Sequence, residues 1–271
     1  RRESVKLHRD LKLQLSAGKP GISLLGACVI GHSRRCPRTE IEPGVCISQG
    51  VHLETGFLGC GSFIGEDTRV FFTGEIGRFA TIGENCLIGA RVPESPDTIS
   101  ISYPVREKDL AWCRDWLPIK EPWKRKNSGK RTMIGNDVFI GDRCVIPQGI
   151  RVGDGALLCP GTVPREDVPP YGILSGNPGQ LTGFRFSRQE IRQLLELKWW
   201  EYGTGLINEI PEKEREDMTH VLEKMAELHQ KKKVPSRPRG EIFFSFLHKE
   251  YTAFIYRQEK ERQTLLRQFP A

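Results

Sequence analysis

Through residues 134–161 an aliphatic residue falls at every sixth position: Ile134, Ile140, Ile146, Val152 and Leu158. A helix repeats near 3.6 residues and a strand at 2, so a strict six belongs to neither element alone. The same beat runs upstream through Ile41, Ile47 and Leu53, slips once, and resumes through Ile64, Val70, Ile76, Ile82 and Ile88. Gly often follows the aliphatic residue, as at Gly65, Gly77, Gly83, Gly135, Gly141 and Gly153. Four positions after the aliphatic residue a short side chain recurs: Ala80, Cys86, Val138, Cys144, Ala156 and Thr162. The pattern describes a short strand and a turn repeated, with the aliphatic side chain pointing into a narrow prism. Gly is expected to supply turn conformations that a Cβ would obstruct. Three such units close one coil, and stacked coils form parallel sheets around a continuous apolar interior. The fold expected is mainly β, a parallel β-helix over residues 21–186 preceded by an N-terminal segment, 1–20. Spacing leaves the handedness open.

Two parts of the chain leave the beat. Residues 93–131 have no repeat and hold Trp112, Trp116 and Trp123. An excursion of that length inside a regular fold is expected to be functional or to form an interface. From residue 187 to 271 the pattern predicts a C-terminal helical extension. Ser187 and Glu190 read as a capping box, followed by Ile191, Leu194, Leu195 and Lys198 at helical spacing. A second helix is expected from near Pro211, with Met218, Val221, Leu222, Met225 and Leu228 on one stripe. A basic Pro/Gly linker, residues 231–240, leads to a third predicted helix over 241–268 carrying Phe243, Phe244, Leu247, Tyr251, Phe254 and Ile255.

Composition narrows the function classes. The 271 residues carry a formal net charge of +7, spread along the chain and not gathered in one block, which argues against nucleic acid as a partner. The eight cysteines form no CxxC pair and no Cys/His cluster, so no metal site is expected, and Cys86 and Cys144 fall in the small inward slots. Reduced core cysteines suit a cytoplasmic protein. There is no apolar run long enough to span a membrane and no secretory leader in the sequence.

Three stretches, "TMIGNDVFIGDRCVIPQGIRVGDGALL", "DVPPYGILSGNPG" and "RFSRQEIRQLLELKWWEY", occur in this order. Together they resemble the hexapeptide-repeat acyltransferases, closest to the xenobiotic acetyltransferase branch that includes the chloramphenicol and streptogramin acetyltransferases. The resemblance covers residues 76–202. It implies a left-handed parallel β-helix, a homotrimer, and acetyl-CoA as co-substrate in a cleft between adjacent prisms. It further implies that the helical segment caps the prism or reaches a neighbouring subunit. The cofactor positions it implies are Phe139, Gly161, Thr162, Arg165, Asn177 and Arg185.

In such enzymes a His in the excursion deprotonates the acceptor hydroxyl, which attacks the thioester, while backbone N–H groups stabilise the oxyanion. Here residues 93–131 contain no His, and anchoring on Tyr103 and Pro104 puts Pro96 or Asp97 at that place. Phe139 replaces the family's Trp, Arg165 and Glu166 replace its Thr-Lys pair, Gln180 replaces a Lys, and Pro164 removes a backbone N–H. The candidate bases are His32, His52 and Asp97; His220 and His229 fall on the polar face of a Glu/Lys-rich helix. Two functions follow. One is an acetyl-CoA-dependent O-acetyltransferase acting on a sugar, glycan or hydroxylated small molecule through a displaced base. The alternative is a non-catalytic trimeric scaffold or binding protein on the same fold. A membrane-surface contact through the C-terminal tail is a further reading.

Overall fold

A computed structural model describes residues 23–25, 29–30, 38–91, 129–231, 233–236, 244–247, 251–252 and 268–269. The chain divides into two compact units, one of Arg1–Ala90 with Arg131–Ala271 and one of Arg91–Lys130. The N-terminal segment, His32, Asp97 and the three tryptophans of the excursion lie outside the described residues.

The larger unit is a left-handed parallel β-helix of triangular section, and its three ladders explain the six-residue beat. On the first face Ile41, Leu58, Ile76, Ile134 and Val152 stack in parallel register. On the second face Ile47, Ile64, Ile82, Ile140, Leu158 and Leu174 do so. On the third the ladder is Ile30, Leu53, Val70, Ile88 and Ile146. All of these are buried, and they form one apolar cluster down the prism. Each side of the triangle uses a strand's alternation, small residue in, one residue out, aliphatic in, and then a three-residue turn.

The slip in the beat is a single early arrival. Leu58 takes the first-face slot five residues after Leu53, because strand His52–Leu58 rounds the corner between the third and first faces without a break. Strand Arg69–Ile76 rounds the same corner, with Phe72 at φ +48°. The Thr55 and Thr73 hydroxyls, both buried there, donate to the carbonyls of Phe57 and Phe71 at 3.0 Å.

The structure corrects the role expected of the glycines after the aliphatic residues. The left-handed backbone falls two residues later, at Asp67, Phe79, Asn85, Asp137 and Arg143. Gly77 is required for another reason: a Cβ there would lie 2.6 Å from the carbonyl carbon of Gly135 in the next coil. Glycine lets the coils stack at this edge; it does not make the turn.

The short inward residues fill the prism beside the aliphatic ladder, and several of their polar atoms are paired, although the buried Thr39 hydroxyl has no partner among the described residues. Ser62 Oγ donates to Gly77 O at 2.8 Å and accepts from Ala80 N at 3.1 Å. Cys86 Sγ lies 3.2 Å from Gly141 O and Cys144 Sγ 3.2 Å from Cys159 O. Burial pushes both thiols up, Cys144 to about 11, so they serve as small apolar fillers, not nucleophiles.

After Leu174 the strand Gln180–Phe184 turns back antiparallel on Gly172–Ser175 and ends the second-face ladder. The capping box forms as expected: Glu190 N donates to Ser187 Oγ at 3.3 Å, and Ser187 N donates to Glu190 Oε2 at 2.8 Å. Helix Arg188–Leu197 follows, with Leu194 and Leu197 buried, while Lys198 is its exposed left-handed cap. The second helix is Met218–Gln230, capped by Asp217; Pro211 precedes only a short 3-10 turn, Glu212–Glu214. Leu194 and Leu222 pack on Tyr171 at the end of the solenoid, and the Trp199 ring lies tilted against the corner residue Phe79, centroids 4.9 Å apart. The helical segment therefore caps its own prism.

The third predicted helix is not formed where the chain is described. Phe244–Leu247 is a strand antiparallel to Arg38–Ile41, and Tyr251–Thr252 pairs with Gln268–Phe269. A run rich in aromatics pairs readily with an edge strand that offers unpaired backbone groups. The amphipathic helix on which a membrane-surface contact would rest is absent from these residues.

Candidate functional site

The corner between the third and first faces brings the candidate base His52 together with a carboxylate and an aromatic ring. His52 opens the long strand, half-buried on the outer side of the third face, and Glu54 lies two residues on. His52 Nε2 is 3.3 Å from Glu54 Oε1, and the carboxylate's side chain is 10% exposed against 26% for the imidazole. Phe71, from the next coil, tilts its ring at 49° against the imidazole with centroids 5.0 Å apart. Phe71 is itself held from the coil beyond: a Cβ on Gly89 would fall 1.6 Å from Phe71 O, so only glycine permits that approach. Arg69 pairs with His52 on one side and with Leu87 on the other. Leu87–Ala90 is the strand from which the chain leaves the prism, and Thr132–Ile134 is the strand on which it returns. His52 thus sits two strand spacings, about 10 Å, from Leu87, the first residue of the strand on which the chain leaves the prism.

The opposite corner, between the first and second faces, is built for rigidity. Arg78 Nε and Nη2 donate to Glu42 Oε2 and Oε1, each at 2.6 Å, and Cys60 N donates to Glu42 Oε2 at 2.9 Å. Both side chains are buried, and a bidentate guanidinium–carboxylate pair in that setting locks two coils in register. Asn136 continues the ladder, accepting from Arg78 N at 2.9 Å and donating from its own N to Asp154 Oδ1 at 2.7 Å.

The positions taken as cofactor ligands are scattered over the prism. Phe139 is 45% exposed on the outer side of the second face. Gly161 lies at a second-to-third corner and lines a cavity of about 380 Å³ with Glu84, Asn85, Asp142, Arg143 and Pro160. Thr162 is buried inside the prism, its hydroxyl donating to Cys159 O at 2.6 Å. Arg165 and Asn177 are exposed in the turns near the end of the solenoid. Arg185 is engaged at home: Nη1 donates to Gly155 O at 2.7 Å and to Asp137 Oδ2 at 3.1 Å, and its guanidinium lies over the rings of Tyr171 and Phe186. Burial pushes the Asp137 carboxyl up, and Arg185 opposes that shift. Among the candidate bases His52 is the one in the described residues. His220 lies 3.1 Å from Glu214, and His229 lies 2.5 Å from the hydroxyl of Tyr202, both on the helical cap and exposed. No group of three or more metal-ligating side chains occurs among the described residues.

Sequence comparison agrees with this architecture. Residues 131–163 match the family described as bacterial transferase hexapeptide (six repeats), and residues 80–95 match the hexapeptide repeat of succinyl-transferase. The chain is 44% identical over 129 residues to a probable macrolide acetyltransferase of Lysinibacillus sphaericus, covering 47% of this chain and 68% of that protein. This chain belongs to the hexapeptide-repeat acyltransferases, in their xenobiotic acetyltransferase branch. A chloramphenicol acetyltransferase of Agrobacterium fabrum is 48% identical over 69 residues, 26% of this chain. The match spans about a third of that relative's length. A solved structure of an N-acyltransferase from Bacillus cereus, in complex with dTDP and coenzyme A, covers 72% of this chain and 97% of its own at 14% identity and a TM-score of 0.41.

Within this hexapeptide family member, Glu54 and Phe71 are the neighbours of the candidate base His52 that the sequence alone did not bring forward. The signal was present in "HLE", a His and a carboxylate at strand spacing on one face. The slip at Leu58 concealed it, since it left the face of residues 52–58 unassigned. Among the described residues no helix is long and apolar enough to cross a membrane.

Proposed function

We propose that this chain is an acetyl-CoA-dependent O-acetyltransferase for a sugar, glycan or hydroxylated small molecule, with His52 as its general base. The observation that carries the reading is the place of His52: a partly exposed imidazole on the prism, two coils from the strand on which the chain leaves it. The imidazole takes the acceptor's hydroxyl proton as that oxygen attacks the thioester carbonyl. The tetrahedral intermediate then collapses with cleavage of the C–S bond, and the proton passes to the departing CoA thiolate. Phe139, Gly161, Arg165 and Asn177 are the exposed positions from which CoA would be held. Thr162, buried with its backbone and hydroxyl bonded within the solenoid, and Arg185 would act by fixing the walls of the prism. Free thiols among the described residues, Cys86 and Cys144 buried, suit work in the cytoplasm.

Isothermal titration with CoA and acetyl-CoA tests this reading, followed by acetyl-CoA consumption against a panel of sugars and hydroxylated acceptors. Saturable binding with acceptor-dependent turnover is the expected result. Absence of CoA binding would remove the enzyme and leave the scaffold, a reading favoured by one observation, the engagement of Arg185 with Asp137 and Gly155.

The protein is also expected to work as a homotrimer. The outer side of the second face carries Phe63 at 37% exposure and Phe139 at 45%, in one column with Leu157 and Ile173. An outward apolar column, interrupted by Thr81 between Phe63 and Phe139, suits burial against another copy. Sedimentation equilibrium at micromolar concentration should give three times the chain mass; a stable monomer would contradict a cleft between copies.

A further inference from the structure

We propose that Glu54 is the positioning residue for His52, forming a His–carboxylate dyad that aims the imidazole at the acceptor; this rests on the reading of His52 as base. Three features of the corner support it. The carboxylate is nearly buried and faces Nε2 at 3.3 Å, so it accepts the Nε2 proton and leaves the lone pair on Nδ1, the atom that receives the hydroxyl proton. A buried carboxylate beside an imidazole also stabilises the imidazolium as it forms, which lowers the barrier and not merely the energy of the bound ground state. The ring plane is fixed from a different coil, by Phe71, whose backbone is pinned by the glycine approach at Gly89. Among the described residues the other charged group in register beside His52 is Arg69, exposed at the paired position on the adjacent strand; Val29 pairs on the opposite side. Among the described residues the imidazole is held by one hydrogen bond and one ring contact, both from strands of the prism. Strand geometry makes this possible without a loop: residues 52 and 54 project to the same side, and the absence of a turn in strand His52–Leu58 keeps them so.

The test uses Glu54→Gln, Glu54→Ala, His52→Ala and the double variant His52→Ala with Glu54→Ala in the full chain. Glu54→Gln and Glu54→Ala should lower kcat about 10–100-fold, the usual effect of losing a partner that orients a functional imidazole, with KM for acetyl-CoA unchanged. In the His52→Ala background the second substitution should cost nothing further, because the two residues act as a unit. A kcat equal to wild type in both Glu54 variants, or a full additional loss in the double variant, overturns the dyad even if turnover and the His52 assignment stand. The second readout needs no turnover. In protein with ¹⁵N-labelled histidine, the His52 Nε2–H should be observable and slow to exchange in the wild type and lost in Glu54→Ala. An unchanged Nε2–H signal in Glu54→Ala overturns the dyad, whereas loss of that signal in a protein with no turnover supports the dyad and refutes the acetyltransferase reading alone.

Discussion

Replacing Ile140 by Asp should leave the protein unfolded. Ile140 sits at the centre of the second-face ladder, fully buried between Ile82 and Leu158, with the small inward residues of its own and neighbouring coils around it. A carboxylate there has no partner and no water, and the prism is too narrow for it to turn outward. Burying an unpaired charge costs several kcal/mol or forces its protonation, against a total stability of about 5–15 kcal/mol for a typical domain. Far-UV circular dichroism melts should show no cooperative transition. The exposed Gln189→Ala, on the first turn of helix Arg188–Leu197, should shift stability by about 0.5 kcal/mol or less. A cooperative melt for Ile140→Asp at the wild-type temperature would mean that the ladder has been assigned to the wrong side of the strand.

The prism was legible in the sequence because its physics is local and repeated. Each inward slot admits only an aliphatic side chain and a small neighbour, so Ile134, Ile140, Ile146, Val152 and Leu158 mark the faces directly. What stayed hidden depended on geometry between coils. Gly77 and its equivalents looked like turn residues, yet their constraint comes from the next coil, as when Gly77 meets the backbone of Gly135. Leu58 arrives one residue early because the chain rounds that corner as a continuous strand, and no turn residue announces it.

The helical end was half legible. The capping box fixed one helix start, but at Pro211 a proline suited to a helix's first turn begins a separate 3-10 turn, and Asp217 caps the true helix. Residues 244–247 carry aromatics that fit a helix stripe or a strand equally well; the open edge of Arg38–Ile41 decides for the strand.

The site was legible only as a set of residue types. His52 could be named, but its neighbour Glu54 gained meaning only once strand His52–Leu58 had a face. Arg185 reads as a basic residue near a cofactor path, while its partner Asp137 lies 48 residues away and cannot be inferred from spacing. Family membership supplies the chemistry to look for, and the corner of the prism at His52 is the place proposed for it.

His52→Ala is expected to carry the second large effect. Removing a general base typically slows the chemical step about 10²–10⁴-fold, or about 3–5 kcal/mol of transition-state stabilisation. The imidazole is partly exposed on the outer side of the prism and fills no inward slot, so the fold should survive its truncation with a melt close to the wild type. Calorimetric affinity for acetyl-CoA should also be retained, since the base acts on the acceptor and not on the cofactor. The decisive measurement is therefore the single-turnover rate of acetyl transfer for wild type and His52→Ala, at saturating acetyl-CoA and with the best acceptor of the panel. A loss of about 10²-fold or more with the fold and CoA binding intact is the result expected of a base at this corner; equal rates in the two proteins would contradict it.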